Sequence, residues 1–198
     1  MNTQSTIAAL IGSRICHDLI SPLGAIGNGV ELLGMSGSVD GPEMALISES
    51  VASANARIRF FRICFGAANA GAMVGLSEIT SILHDMGAAG RVQFDWNSEN
   101  SVPRQDVKLA FLLIQCFESA MPFGGIVKVR QGPDGWQLAC TADKLKIDPA
   151  KWEMLVSPMP NADLSPSDVH FALVPDASQQ AGRSLKTDLR EGAIALSF

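Results

Sequence analysis

The sequence predicts an α+β protein in which an N-terminal helical hairpin precedes an α/β sandwich, with helices laid over one sheet. Three observations predict it. Residues 4–68 hold two long runs with apolar residues at helical spacing, broken by a glycine-rich turn. From residue 91 onward, short strand-like segments interleave with helical ones. Between the two, Asn69-Ala70-Gly71-Ala72-Met73-Val74-Gly75 reads as a linker, which divides the chain into units 1–70 and 75–198.

The first helix is expected over 4–34. At ~100° per residue, Ile11, Ile15, Leu19, Leu23, Ile26, Val30 and Leu33 form one apolar stripe. Gly34, Gly37 and Gly41-Pro42 mark the turn. A second helix follows over 43–68, where Ile47, Val51, Ala54, Ile58, Phe61 and Phe65 make a heptad-like seam. Arg57, Arg59 and Arg62 crowd its C-terminal half, where cations suit the negative end of a helix; they also suit a solvated face or an acidic partner. Two antiparallel helices cannot enclose a core alone. A second copy solves this as an intermolecular four-helix bundle, and packing on the rest of the same chain is the monomeric alternative.

In the second unit, Leu76, Ile79, Leu83 and Met86 mark a third helix, ended by Gly87 and Gly90. Residues 91–96 alternate as a strand, and 107–121 read as a buried helix. After Gly124-Gly125, 126–129 and 136–141 are strands joined through Gly132-Pro133-Asp134-Gly135. Residues 149–156 form a short helix with Asp148 as N-cap. A Pro- and Ser-rich stretch precedes a helix near 166–181, which Pro175 weakens. Residues 184–190 and 193–198 close the chain as a hairpin around Glu191-Gly192.

Composition excludes several classes. The 198 residues are 47% hydrophobic, enough for a sizeable core, and the net charge of −5 argues against nucleic acid as the main partner. No uncharged apolar run reaches membrane-spanning length, and the first residues lack a basic leader, so a cytoplasmic protein is expected. Cys16, Cys64, Cys116 and Cys140 are scattered, which suits reduced structural thiols, and three separated histidines give no metal site.

Function concentrates in Ser13-Arg14-Ile15-Cys16-His17-Asp18-Leu19-Ile20-Ser21-Pro22. His17 lies opposite the apolar stripe, among the small or polar residues Ser13, Ser21, Gly24 and Asn28, which leave room for a partner. Ile20 lies close to that face and offers an apolar contact. Pro22 costs a helix on the order of 3 kcal/mol, so a local reason for it is expected. His84-Asp85 is a second His-Asp pair without a downstream proline and reads as solvated surface; His170 reads as structural.

His17-Asp18-Leu19-Ile20-Ser21-Pro22 resembles the H-box of histidine kinase dimerisation domains. The longer run from Cys16 to Gly29, with Arg59-Phe60-Phe61-Arg62 and Phe65-Gly66, resembles the ChpT-type histidine phosphotransferases of alphaproteobacteria. The resemblance is specific in the hairpin and covers the rest of the chain in layout only. It implies a homodimer pairing a phosphoacceptor bundle with a degenerate histidine-kinase ATPase (GHKL) domain. Consistent with such a loss, residues 112–121 hold no asparagine, and Asp143-Lys144-Leu145-Lys146-Ile147 lacks the glycines that a nucleotide loop needs.

The resemblance further implies phosphoryl relay between aspartates of receiver domains through phosphohistidine at His17, with Asp18 orienting the ring. It implies no bound cofactor, Mg2+ supplied by the receiver, and no autokinase activity. The partners would be receiver domains of a hybrid histidine kinase and of response regulators, docking over Ser13, Arg14, Ile20, Ser21, Pro22, Gly24 and Asn28. Three other readings stay open: an ATP-dependent histidine kinase, a non-catalytic dimeric adaptor, and a residual small ligand in the degenerate pocket. For Asp18, plain solvation on the helix surface is the alternative.

Overall fold

A computed structural model of the chain describes residues 3–36, 41–157, 164–190 and 192–198. It folds as α1 (Thr3–Ser36), α2 (Pro42–Cys64), β1 (Met73–Gly75), α3 (Leu76–Ala89), β2 (Val92–Asn97), β3 (Ser101–Pro103), α4 (Arg104–Ala120), β4 (Gly125–Gly132), β5 (Gly135–Thr141), α5 (Pro149–Glu153), a 3-10 turn (Pro166–Asp168), α6 (Val169–Ala181), β6 (Lys186–Arg190) and β7 (Ala193–Ser197). Gly37, part of the expected hairpin turn, Glu191 of the closing hairpin, and most of the Pro- and Ser-rich stretch lie outside the described residues.

The fold is α+β, as the sequence predicts. A mixed sheet has the order β2-β4-β5-β7-β6, with β2 and β4 parallel and the other pairs antiparallel. Alternate residues Val127 and Val129, Trp136, Leu138 and Cys140, and Ile194 and Leu196 point inward to a core shared with α3, α4 and α6. Pro133 and Asp134 make a two-residue loop between the paired Gly132 and Gly135. Gly124-Gly125 has a packing role. A Cβ on Gly124 would lie 2.3 Å from the Arg91 carbonyl oxygen, and one on Gly125 2.5 Å from that of Thr141. Buried Asp106 accepts from Trp136 Nε1 at 3.0 Å and from the Arg183 guanidinium, so no bare charge is sealed inside.

Several expected boundaries change. The expected linker 69–75 contains β1, which pairs antiparallel with β3. Helix α1 runs past Gly34 to Ser36, and α3 passes through the buried Gly87 to end at Ala89, with Gly90 as its C-cap. Helix α2 ends at Cys64 rather than residue 68. The sequence after Gly182 runs into β6, and α6 continues through Pro175, preceded by the 3-10 turn.

Helix α2 faces two ways. Phe60, Phe61, Ile63 and Cys64 are buried in the main core, and the Phe60 ring stacks on Phe111 of α4 with centroids 4.6 Å apart. The C-terminal half of the hairpin therefore packs on its own chain. Several of its other apolar residues face solvent: Leu23 is 58% exposed, Val30 56% and Ile58 50%. The α1–α2 contact is close at Gly29, where a Cβ would stand 2.5 Å from Ile47 Cγ1. Arg57, Arg59 and Arg62 are internal ties. Arg57 reaches Asp18 of α1, while Arg59 and Arg62 reach Asp85 and Glu78 of α3 at 2.8 Å each.

His170 is fully buried beside Ser119 Oγ at 3.2 Å, and burial pushes it down to about 3, so it packs uncharged as a structural residue. Cys64, Cys116 and Cys140 are free and buried, and burial raises each thiol; Cys16 is free and exposed. No helix among the described residues is long and apolar enough to cross a membrane. No group of three or more metal-ligating side chains occurs among them either.

Candidate functional site

Helix α1 presents His17 and Asp18 in opposite environments. The His17 side chain is 81% exposed and that of Asp18 is 7% exposed. Successive helical residues point ~100° apart, so the imidazole stands off the surface while the carboxylate turns in against α2 and α4. Asp18 Oδ1 lies 3.0 Å from His17 Nδ1. A carboxylate only accepts, so Nδ1 carries the hydrogen and Nε2 is left as the outward nitrogen with its lone pair.

Asp18 is itself clamped. Arg14, one turn earlier, donates from Nε to Asp18 Oδ2 at 3.0 Å, and Arg57 of α2 approaches the same oxygen at 3.5 Å. The surface-solvation alternative for Asp18 is thereby removed. Arg14 also donates to the Ser167 carbonyl at 2.9 Å and to Gln115 Oε1 at 3.3 Å. Gln115, only 2% exposed, donates in turn to Glu118 Oε2. An unbroken polar chain thus runs from α4 to the exposed imidazole.

Pro22 supplies a local reason for its cost. The amide that it lacks is the one that a regular helix would give to the Asp18 carbonyl, four residues earlier. Pro22 is buried. Together with His17, Asp18 and Ser21 it forms one wall of a groove of about 1060 Å³, whose other walls include Glu49, Ser53 and Arg57 of α2 and Asp85 of α3.

Among the expected docking residues, Ser13, Ile20, Ser21, Gly24 and Asn28 are exposed on the His17 side, with Ile20 at 67%. Two are corrected. The Arg14 side chain is 16% exposed with its guanidinium bonded inward, and Pro22 is buried, so neither offers a free surface. His84 is exposed, and its neighbour Asp85 is engaged by Arg59. Sequence reading missed Gln115 and Glu118. Two polar residues three apart within the apolar run 107–121 were the available signal, because a buried polar side chain needs a partner.

Burial pushes the Glu118 carboxyl up to about 7, although Arg57 and Arg14 pull it down. A carboxyl raised from 4.5 to about 7 on folding gives stability that is whole below 4.5 and lost as pH rises through about 7. Replacing Glu118 by Gln keeps an acceptor for Gln115 and removes the charge. The variant is expected to be more stable by about 1–3 kcal/mol at pH 8 and equal to the parent at pH 4. Thermal melts across that range check it, and a stability difference independent of pH would contradict it.

The loop 143–147, at the position expected for a nucleotide loop, is strapped down. Lys146 N donates to the Ala120 carbonyl at 2.8 Å, and Leu145 and Ile147 pack against the main core. Beside it, Lys146, Asp148 and Lys151 line a polar cavity of about 580 Å³ that reaches Glu118 and Asp18.

Residues 76–193 match the family model described as histidine phosphotransferase C-terminal domain. Over 131 residues the chain is 40% identical to the protein phosphotransferase ChpT of Brucella abortus (strain 2308), covering 65% of this chain and 62% of that protein. The match thus spans less than two thirds of that relative's length. A solved structure described as a bacterial phosphotransferase superposes with a TM-score of 0.81 at 30% identity, covering 97% of this chain and 95% of the other. His17 lies outside the residues that the family model matches. With the model spanning more than half of its length, the chain belongs to the histidine phosphotransferase C-terminal domain family.

Proposed function

We propose that the protein relays a phosphoryl group between receiver-domain aspartates in two-component signalling, with His17 as the transient carrier. The observation that carries this reading is the imidazole itself: 81% exposed, with Nδ1 held by a buried carboxylate and Nε2 turned outward. The Nε2 lone pair attacks phosphorus of an aspartyl phosphate. The new N–P bond forms as the acyl-phosphate P–O bond breaks, and the receiver leaves with its carboxylate and the bonding pair. A second receiver carboxylate reverses the step, and the Nδ1 proton stays facing Asp18 throughout. Positioning and charge neutralisation dominate such transfers, and the receiver brings the Mg2+.

Two features support docking by another protein. Gly24 has no atom within 4 Å of the place where a Cβ would stand, so nothing in its own chain requires a glycine there. Gly24→Ala is expected to stabilise the chain by about 0.5–1 kcal/mol while slowing transfer from a receiver. Melts and transfer rates on the same variant check this, and faster or unchanged transfer would count against a docked partner at this face. The apolar residues left open on the hairpin, Leu23, Val30, Leu46, Val51 and Ile58, favour a second copy completing a four-helix bundle. The hairpin then acts as dimerisation and phosphoacceptor unit, and the remainder as a degenerate ATPase-like unit.

Leu145 and Ile147 packed against the core where a nucleotide loop would need bare glycine backbone favour a carrier over a kinase. The test is phosphotransfer profiling with purified receivers from the same cytoplasm, alongside labelled ATP alone. Label is expected from charged receivers and not from ATP. Autophosphorylation with ATP would overturn the carrier reading, and receiver binding without transfer would leave an adaptor.

A further inference from the structure

We infer that Arg14 and Gln115 are positioning residues, through which the second unit fixes the ring tautomer of the phosphoacceptor on the hairpin. The inference rests on the reading of His17 as that acceptor.

Arg14 touches both sides of the junction at Asp18. Its Nε holds Asp18 Oδ2 at 3.0 Å, its Nη1 reaches the Ser167 carbonyl at 2.9 Å, and its Nη2 reaches Gln115 Oε1 at 3.3 Å. Three acceptors on three elements fit the planar fork of a guanidinium, and an ammonium at that position would serve fewer of them. Gln115 is 2% exposed and cannot turn away, because its amide nitrogen is engaged by Glu118.

The consequence falls on Asp18. A carboxylate held by one oxygen presents the other in a fixed direction, here to His17 Nδ1 at 3.0 Å. Arg57, the remaining cation on Asp18 Oδ2, stands at 3.5 Å and is a weaker hold. Without Arg14 the carboxylate can rotate, and an 81% exposed ring loses its preference for hydrogen at Nδ1. Every molecule with hydrogen at Nε2 lacks the outward lone pair. The second unit then contributes to transfer without touching phosphorus.

The full-length protein with 15N-labelled histidine tests this. The ring nitrogen shifts of His17 report its tautomer, and transfer from a charged receiver is measured against receiver concentration. Two variants are compared below pH 7: Gln115→Met, which removes the acceptor for Arg14, and Gln115→Glu, which keeps it and accepts a hydrogen bond from the protonated Glu118 carboxyl in place of the amide it loses. Arg14→Lys is a third, for the case that Gln115→Met melts below the assay temperature.

In Gln115→Met and Arg14→Lys, the His17 tautomer is expected to shift toward hydrogen at Nε2. The saturating transfer rate should fall about tenfold with half-saturation unchanged. Gln115→Glu should retain both properties. A raised half-saturation at unchanged maximal rate would make Arg14 a docking residue and overturn the inference. A slower rate with an unmoved tautomer would reduce the chain to a structural support and overturn it equally. If the parent protein takes no phosphoryl group, the relay reading fails, and the tautomer comparison still decides the inference.

Discussion

Replacing His17 by alanine is expected to abolish acceptance of phosphoryl label from charged receivers, down to background. The same change should leave folding intact, because an 81% exposed side chain contributes little to packing. A surface substitution of this kind shifts stability within about 0.5 kcal/mol. Dimerisation should persist too, since the apolar residues proposed to meet a second copy, Leu23, Val30 and Ile58, are untouched. Loss of label with unchanged melting and unchanged mass in solution isolates chemistry from fold. Label retained in the variant would move the acceptor elsewhere, with His84 as the next exposed imidazole.

The second large effect concerns stability. Phe60→Ala is expected to cost about 3–5 kcal/mol. Phe60 is fully buried and stacks on Phe111, which meets Trp96 edge-on at 6.1 Å. Trp96 lies 5.3 Å from Trp136 in the middle of the sheet. The cavity left by Phe60 therefore opens at the joint between hairpin and second unit. Thermal unfolding should stay a single transition, with Tm lowered on the order of 10 °C. A variant in which the hairpin melts separately while the rest holds its Tm would show that the two share less core than this ring stack implies.

Much of the hairpin was legible in the sequence. Long amphipathic runs carry many turns of periodicity, so α1 and α2 were found to within a few residues. β1 and β3 were not found. Each has three residues, too few to show alternation, and their pairing joins segments separated by the whole of α3 and β2. The double orientation of α2 was equally hidden. Phe61 belongs to the seam, but Phe60 and Ile63 lie off it and are buried in the main core, Phe60 against Phe111 of α4. Heptad spacing reports one face and carries no information about a second partner.

At the site, the decapeptide marked His17 and Asp18, and their opposite exposures follow from adjacent positions on one helix. What sequence spacing could not reach was the side-chain path. The resemblance places Arg14 on the docking surface, whereas its guanidinium is bonded inward. Its inward course depends on Gln115 and on the Ser167 carbonyl, 101 and 153 residues away along the chain. Pro22 is expected on a docking surface, whereas it is buried, and its missing amide is the one a regular helix would give to the Asp18 carbonyl.

The most direct measurement is the location of the transferred group. The protein is incubated with a charged receiver, digested at neutral pH to preserve phosphohistidine, and mapped by tandem mass spectrometry, with 31P NMR identifying the ring nitrogen. The account predicts acid-labile phosphate on His17, bonded to Nε2. Phosphate on His84, on Nδ1 of His17, or on no histidine at all while receivers still exchange label would contradict it.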